Sequence, residues 1–182
     1  DQRIHVLERP VKDGLGKAYI AGFQLALERD YQQIVQMDAD FSHAPSALPH
    51  LIHLTQRYDI AIGSRWVPGG KTQGWPWPRQ LLSQLGSAYA RALLSMPILD
   101  VTSGFKCIRR EVLETLPLQT LQSSGYVFQI EFTHRALDAG FSVVETPITF
   151  SEREIGQSKM SKRILLEAAL RVPLLRLQGT SS

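Results

Sequence analysis

The sequence of 182 residues is poor in cysteine and has no long hydrophobic run. Its single cysteine, Cys107, excludes an internal disulfide and a cysteine-based zinc cage, which favours a location in or facing the cytosol. No run of about 18 apolar residues occurs, so no membrane-spanning helix is predicted. Low-complexity tracts, internal repeats and a charged-then-apolar leader are absent too. With 43% hydrophobic residues, residues 1–182 are expected to form one well-buried domain.

Acidic and basic residues balance over most of the chain, and the net charge of +3 is confined to its last part. Residues 151–182 carry six basic and three acidic side chains. A basic segment on a neutral body indicates an anionic partner, either phosphate groups or a lipid surface, with a solvated helix face as the alternative. Apolar and basic side chains at helical spacing predict an interfacial amphipathic helix over residues 158–178, with packing on the sheet as the alternative.

The hydrophobic pattern alternates between strand and helix signals along the chain. Strands are expected within residues 3–8, 33–37, 59–64, 100–108 and 141–150. Helices are expected over residues 15–29, 46–56, 79–95, 126–139 and 161–177. Residues 68–78 are rich in proline and glycine and are expected to form a loop. This order predicts an α/β fold with a mostly parallel, Rossmann-like sheet flanked by helices, whose ligands bind at the carboxyl ends of strands.

The most informative stretch, residues 37–43, follows the second expected strand and reads Met-Asp-Ala-Asp-Phe-Ser-His. Asp38 and Asp40 are two residues apart, so an extended chain would place both carboxylates on one side. Two such charges close together need a cation, and hard oxygen ligands suit Mg²⁺ or Mn²⁺ held together with substrate phosphates. The pair predicts a metal site for a phosphate-bearing substrate. The alternative is a solvated turn, where Asp is common.

Five other stretches carry groups suited to phosphate or sugar chemistry. Lys12 and Gly16 belong to a turn that opens a helix, where free N–H groups attract anions, with a plain strand-to-helix turn as the alternative. Arg65 follows a buried strand and would bring a guanidinium to the same sheet edge, suited to a diphosphate. Ser103 lies in a loop of small polar residues. The remaining groups open a helix or form a basic loop: Gln129 with Glu131, and Arg153 through Lys159.

The order of these motifs is more specific than any one of them. They are Gly14-Leu15-Gly16-Lys17-Ala18-Tyr19, residues 37–43, Ile62-Gly63-Ser64-Arg65-Trp66-Val67, Gly69-Gly70, Trp77-Pro78-Arg79, residues 100–106, residues 125–131 and residues 153–160. In this order the chain resembles the polyprenol-phosphate (dolichol-phosphate) mannosyltransferases over about residues 9–167. These enzymes are a branch of the inverting family-2 glycosyltransferases, which have a GT-A fold.

The resemblance implies a reaction, a metal and a set of site residues. The reaction is inverting transfer of mannose from GDP-mannose to a membrane polyprenyl (dolichyl) phosphate, giving polyprenyl phosphate mannose and GDP. Mg²⁺ or Mn²⁺ is expected on Asp38, Asp40 and Ser42. The implied catalytic residues are Asp40, Arg65, Gln129, Glu131 and Arg153. The implied substrate-binding residues are Lys12, Gly16, Asp38, Arg79, Ser103, Ser158 and Lys159.

The resemblance also sets the expected partners and leaves alternatives open. The partners are a sugar nucleotide, a polyprenyl phosphate and a membrane surface, with no nucleic acid, for a peripheral protein at the cytoplasmic face. Family members begin with a strand and a Pro-x-Tyr-Asn-Glu type motif, then a strand ending in an Asp-Asp-x-Ser type motif. Neither motif precedes Asp1, so the first βα unit is expected to be missing. The alternatives are a UDP-glucose-dependent polyprenyl-phosphate glucosyltransferase and a non-catalytic fragment.

Overall fold

The computed structural model describes residues 3–11, 13–121, 123, 125–152 and 169–176. The helices are α1 (Leu15–Glu28), α2 (Leu48–Leu54), α3 (Trp77–Leu94), α4 (Arg110–Thr115) and α5 (Gly125–Asp138), with 3-10 turns at Pro45–Ala47 and Leu118–Thr120. The strands are β1 (Gln33–Gln36), β2 (Ile60–Ser64), β3 (Lys71–Gln73), β4 (Lys106–Arg109), β5 (Val143–Pro147) and β6 (Thr149–Ser151). Residues 169–176 are helical as well. Among these described residues, no helix is long and apolar enough to cross a bilayer.

Four strands form the main sheet in the order β1-β4-β2-β5. β2 and β5 are parallel, whereas β4 is antiparallel to both of its neighbours. β1, β2 and β5 therefore run in one direction and β4 runs against them. The α/β class predicted from the sequence is confirmed, with β4 as the exception to its mostly parallel sheet. A second, two-stranded sheet pairs β3 with β6.

Two expected strands differ from the structure, because a strand forms only where a neighbouring strand pairs with its backbone. Residues 3–8 are exposed and irregular rather than a strand, and none of the described strands pairs with them. The expected strand over 141–150 is divided in two. Ile148 donates its N–H to the Ser64 carbonyl while its own carbonyl accepts from the Lys71 N–H, so the chain leaves β2 and joins β3 at this residue. Partner β3 lies within the expected loop 68–78. Of the expected interfacial helix over 158–178, only residues 169–176 are described.

The hydrophobic core lies on both faces of the main sheet. Ile60, Ile62 and Ile108 point into a large cluster formed with α1, α3, α4 and α5. Ala61 and Cys107 point the other way, toward a smaller cluster that includes α2. This alternation along β2 and β4 is the pattern of a sheet covered by helices on both faces. Cys107 is thus a buried core side chain with a free thiol.

One charged side chain crosses the large cluster. Lys106 of β4 is fully buried, and its ammonium donates hydrogen bonds to Thr133 Oγ1 at 2.7 Å and to the Gln129 carbonyl at 3.2 Å. It also lies 5.6 Å from the ring centre of Phe132. Burial lowers the pKa of Lys106 to about 7, although the negative charge of Asp100 acts in the opposite direction. Lys106 therefore joins α5 to the sheet through hydrogen bonds, although burial disfavours its charged form.

A first prediction concerns two glycines of α1. A Cβ on Gly16 would lie 2.7 Å from the Ser123 carbonyl oxygen and 2.9 Å from Phe128 Cδ2, whereas a Cβ on Gly22 would meet nothing within 4 Å. Gly16→Ala should therefore lower the free energy of unfolding by about 1–3 kcal/mol through overpacking. The matched control Gly22→Ala should raise it by about 0.5–1 kcal/mol through helix propensity. Urea unfolding of both variants checks this, and equal effects would contradict the close packing of α1 on α5.

A second prediction follows from the low pKa of Lys106. The unfolded chain binds more protons than the folded chain between about pH 7 and the ordinary lysine value of 10.5. The free energy of unfolding should therefore rise with pH across this window, with a limiting slope of about 1.4 kcal/mol per pH unit. Lys106→Met should flatten this rise, and the exposed control Lys71→Met should retain it. The measurement is urea unfolding at pH 7.5, 8.5 and 9.5. An unchanged slope in Lys106→Met would refute the assignment.

Candidate active site

Three loops meet at one edge of the main sheet. One follows β1 and carries Asp38 and Asp40, and another follows β2 and begins with Arg65. The third precedes β4 and spans residues 99–105. Because β4 runs against its neighbours, its amino end lies at the edge where β1 and β2 have their carboxyl ends. This is the edge at which α/β sheets bind their ligands.

The two aspartates lie beyond the end of β1. Asp38 accepts a hydrogen bond from the Tyr19 hydroxyl at 3.2 Å, and its other oxygen lies 3.9 Å from His43 Nε2. Burial and then the Asp38 charge raise the pKa of Tyr19, to which the Asp40 charge also contributes. The two carboxylates therefore act on the same phenol. Both residues lie after Gln36, the last residue of β1, where the chain bends, so the strand alternation expected to put them on one side does not extend to them.

Asp40 and Ser42 form a local oxygen cluster. Asp40 Oδ1 accepts from the Ser42 N–H at 3.1 Å and from the Ser42 hydroxyl. With Asp38 this loop offers two carboxylates and one hydroxyl, a set of hard donors that fits Mg²⁺ or Mn²⁺. In the described part of the chain, no group of three or more His, Cys, Asp or Glu side chains is arranged to hold a metal.

Aromatic packing holds this loop in place. The His43 ring lies 4.7 Å from the ring centre of Phe105 and 5.0 Å from that of Phe150. A backbone bridge joins His43 to Phe150, and the Ser151 N–H donates to the Ser42 carbonyl at 3.0 Å. Burial lowers the pKa of His43, although Asp38 and Asp40 act in the opposite direction. Burial therefore favours the neutral form of the imidazole.

A buried ion pair joins the second and third loops. Arg65 donates from Nε to Asp100 Oδ2 at 2.7 Å and from Nη2 to Oδ1 at 2.6 Å, and its backbone N–H also reaches Oδ2 at 2.9 Å. Arg65 is 7% exposed and Asp100 is fully buried. Glu145 of β5 accepts the N–H groups of Leu99 and Asp100 at 2.6 and 2.8 Å. Arg65 thus holds the carboxylate of Asp100 while Glu145 holds its backbone, and Arg65 already has a partner within the protein.

Ser103 belongs to the same loop, and its hydroxyl is engaged within it. It is buried, donates to the Gly63 carbonyl at 2.6 Å and accepts from the Phe105 N–H at 3.3 Å. These bonds lock the loop onto β2. The Ser103 hydroxyl thus holds the loop in place, and its expected contact with substrate stays a prediction.

Two guanidinium groups contact one indole ring. The Cζ atom of Arg79 lies 3.9 Å from the ring centre of Trp75, and that of Arg65 lies 5.4 Å from it. Arg79 also forms a salt bridge with Glu152 at 2.7 Å. Trp75 in turn packs edge-on against Phe150 at 5.3 Å. The family resemblance implies one site for Arg65 and Arg79, and the structure brings both to the same ring.

The structure separates Gln129 from Glu131. Gln129 is buried, and a Cβ built on Gly104 would lie 3.8 Å from its Nε2 and 3.5 Å from that of Gln36. Neither amide atom of Gln129 has a hydrogen-bond partner within the described residues. Glu131 instead accepts from the Ser123 N–H at 3.0 Å and from Arg135 at 2.7 Å. Side chains two positions apart on a helix point in directions that differ by about 200° around its axis. Gln129 therefore faces the loops while Glu131 points away from them.

Some predicted residues fall outside this description, and some site residues were not predicted. Lys12, Arg153, Ser158 and Lys159 lie outside the described residues. Gly16 is described, and it packs against α5. Sequence reasoning missed the roles of Tyr19, Gln36, Asp100 and Glu145. Asp100 is 35 residues from Arg65 in the chain, so no local pattern predicts that the two form a pair. The only available signal was the place of Asp100 in the polar motif at residues 100–106.

The chain is similar to two curated proteins over most of its length. It is 52% identical over 171 residues to the polyprenol monophosphomannose synthase of Mycolicibacterium smegmatis, covering 93% of this chain and 64% of that protein. It is 48% identical over 172 residues to the undecaprenyl-phosphate mannosyltransferase of Micrococcus luteus, covering 94% of this chain and 71% of that protein. The chain therefore spans about two thirds of the length of each.

Solved structures show the same fold at low sequence identity. A glucosyl-3-phosphoglycerate synthase from Mycobacterium tuberculosis, in complex with Mn²⁺, UDP and phosphoglyceric acid, gives a TM-score of 0.65 at 16% identity over 95% of this chain and 56% of its own. Its complex with Mn²⁺, UDP-glucose and glycerol 3-phosphate gives a TM-score of 0.61 at 17% identity, over 94% of this chain and 56% of its own. The predicted GT-A fold is confirmed. The family model of glycosyl transferase family 2 matches residues 1–116, and with these relatives it shows that the chain belongs to glycosyl transferase family 2.

Proposed function

We propose that the chain is the catalytic part of a mannosyltransferase that uses GDP-mannose and a polyprenyl (dolichyl) phosphate. The products are polyprenyl phosphate mannose and GDP. The observation that carries this proposal is at the ligand edge of the sheet, where Asp40 binds Ser42 and the charges of Asp38, Asp40 and Arg65 all act on the His43 imidazole. Identity of about 50% to two proteins named for mannose transfer to polyprenyl phosphates supports the choice of sugar and acceptor.

A divalent cation, Mg²⁺ or Mn²⁺, is proposed on Asp38, Asp40 and Ser42. When bound, it supplies Lewis-acid stabilisation of charge on the leaving diphosphate. The surroundings of Asp38 support this assignment. Within the described residues its contacts are the Tyr19 phenol and the His43 imidazole, whose neutral form burial favours, and neither is a permanent counter-charge. Mn²⁺ in the solved synthase of the same fold is consistent with this choice.

The arginines are proposed to attract and orient the phosphate groups. Arg79 and Arg65 present two guanidinium groups around Trp75, where fixed cations stabilise phosphate charge without reorganising. Arg153 and Lys159, outside the described residues, are proposed to add positive charge to the same phosphates. Gln129, with both amide atoms unpartnered in the described residues, is proposed to hydrogen-bond the sugar or the acceptor.

The acceptor needs little activation by the protein. A phosphate monoester has a second pKa of about 6 and is largely dianionic at pH 7. The groups nearest the metal site are poor bases, because the Tyr19 phenol keeps its proton and burial disfavours proton uptake by His43. Positioning and charge compensation are therefore proposed to supply most of the rate, with an in-line attack that inverts the sugar carbon through an oxocarbenium-like state.

A third prediction tests the metal site and the donor together. Asp40→Asn should abolish Mn²⁺-dependent GDP binding and lower mannose transfer by orders of magnitude, because it removes one charged ligand. The fold should survive. The matched control Asp30→Asn changes the same charge in the exposed turn after α1 and should behave as the wild type. Calorimetric titration of GDP and UDP, with activity assays at limiting Mn²⁺ in the full-length protein, provides the measurement.

The same titrations separate the alternatives. Wild-type protein should bind GDP more tightly than UDP and should transfer mannose from GDP-mannose. Preference for UDP with transfer of glucose would replace the proposal by the glucosyltransferase. Binding of neither nucleotide would favour a non-catalytic fragment, and normal turnover in Asp40→Asn would reject the metal assignment.

A fourth prediction concerns the two functions of Arg65. Arg65→Ala should destabilise the protein by about 3–5 kcal/mol, because it leaves Asp100 buried without its partner. It should also lower turnover per folded molecule by about 10²–10³. Asp100→Asn removes the partner but keeps the guanidinium, so it should share the stability loss and retain more turnover per folded molecule. Unfolding curves and initial rates, normalised to the folded fraction, decide this. Full activity in folded Arg65→Ala would exclude a role at the diphosphate.

A further inference from the structure

Among the described residues, the carboxylate of Asp38 is held by one hydrogen bond. The Tyr19 hydroxyl donates to Asp38 Oδ1 at 3.2 Å. The other oxygen, Oδ2, lies 3.9 Å from His43 Nε2, which is beyond hydrogen-bond distance. The Asp38 side chain is also 33% exposed, so packing alone does little to select its conformation. The bond from Tyr19 is therefore the contact that fixes the orientation of this carboxylate.

The two carboxylates of the candidate metal site are oriented from different parts of the fold. Asp40 accepts bonds from within its own loop, because Ser42 donates to it from both the N–H and the hydroxyl. Such a bond between near neighbours forms wherever the loop itself forms. Tyr19, in contrast, lies on α1 and is 19 residues before Asp38 in the chain. The orientation of Asp38 thus depends on how α1 packs against the loop after β1.

Aromatic packing fixes the Tyr19 ring. The ring stacks with Phe128 of α5 at a centroid distance of 5.7 Å and with Phe23 of α1 at 6.3 Å. The close approach of α1 to α5 at Gly16, where a Cβ would lie 2.9 Å from Phe128 Cδ2, holds this stack together. A tyrosine side chain has only two main torsions, and packing against two rings restricts them. The hydroxyl is therefore held in place before it bonds to Asp38.

The Tyr19 hydroxyl lies among the loops of the ligand edge. A Cβ on Gly104 would lie 3.7 Å from the hydroxyl oxygen and 3.5 Å from Gln36 Nε2. Gln36 Nε2 in turn donates to the Gly104 carbonyl at 2.8 Å. The hydroxyl is thus next to both the end of β1 and the loop at residues 99–105. A change at this oxygen acts on the site directly.

A phenol hydroxyl is suited to orienting a carboxylate that binds a metal. It has one O–H to donate, and an ionised carboxylate has about four acceptor positions, so a bond to Oδ1 leaves room for a cation on the same group. Carboxylates that bind metals are themselves usually hydrogen-bonded, and loss of such a partner typically lowers metal affinity about 10–100-fold. The contact between Tyr19 and Asp38 has this form.

We infer that Tyr19 is a positioning residue, whose hydroxyl holds the Asp38 carboxylate in the orientation in which it binds the divalent cation. The inference rests on the metal site of the proposed function. It adds a residue of α1 to that site, and this residue acts through Asp38 without touching the substrate. It also connects the metal site to α5, because the ring that carries the hydroxyl packs on Phe128.

The experiment measures Mn²⁺ affinity of the full-length protein, from the electron paramagnetic resonance signal of free Mn²⁺, without nucleotide and with GDP or UDP. Tyr19→Phe removes the hydroxyl and keeps the ring, so it should raise the Kd for Mn²⁺ by about 10–100-fold. The matched control Tyr89→Phe also removes a hydroxyl that donates at 3.2 Å, in this case to the Ala169 carbonyl, and should bind Mn²⁺ as the wild type. Both variants should keep urea midpoints close to that of the wild type.

Activity at two metal concentrations separates a positioning role from a catalytic one. Tyr19→Phe should transfer sugar slowly at limiting Mn²⁺ and should recover wild-type turnover at saturating Mn²⁺. Turnover that stays low at saturating Mn²⁺ would overturn the inference, because the hydroxyl would then act on the substrate. Equal Mn²⁺ affinity of the wild type and Tyr19→Phe, or equal losses in Tyr19→Phe and Tyr89→Phe, would overturn it as well.

Metal affinity also separates this inference from the proposed function, because it requires neither a sugar nor an acceptor. A loss of Mn²⁺ affinity in Tyr19→Phe supports the inference even if the protein transfers a different sugar or none. Mannose transfer by the wild type with unchanged Mn²⁺ affinity in Tyr19→Phe would leave the proposed function standing and reject the role of Tyr19. Failure of the wild type to bind Mn²⁺ with either nucleotide would overturn both the inference and the metal assignment.

Discussion

The buried pair of Arg65 and Asp100 holds the ligand edge of this protein together. A buried carboxylate without a partner is costly, so the loop that carries Asp100 has one low-energy position, against the end of β2. Glu145 holds the backbone of the same loop from β5, and Ser103 bonds it to the carbonyl of Gly63. The position of Gly104, and with it the surroundings of Gln36 and Gln129, follows from these contacts.

The loops at this edge differ in how their charges are compensated. The cations are paired: Arg65 with Asp100 and Arg79 with Glu152. Asp38 instead lies beside a neutral phenol and a neutral imidazole. Burial favours the neutral form of His43, so the imidazole does not provide a permanent counter-charge. A cation at the aspartate loop and phosphates near the paired arginines would complete a set of charges that the protein has arranged in advance, which is how fixed electrostatics assist group transfer.

Helix α3 distributes its polar and apolar side chains in the reverse of the usual sense. Serines and alanine on the buried side let α3 pack closely, while tryptophan and leucines remain on the outside. This arrangement gives up core burial that an ordinary amphipathic helix would gain.

The residues alone were enough for the alternation of strands and helices and for the main helices to within a few positions, while the role of Asp38 and Asp40 stays a prediction. These features depend on local periodicity, turn chemistry and motif order, all of which can be read along the chain. Packing decided the reversed direction of β4, the division of residues 141–150 and the partner of Arg65. The helical period separates Gln129 from Glu131 in any sequence, but only the seating of α5 on Lys106 and β4 selects which one faces the loops. Strand pairing and burial join residues far apart in the chain, so their energies appear only when the whole fold is assembled.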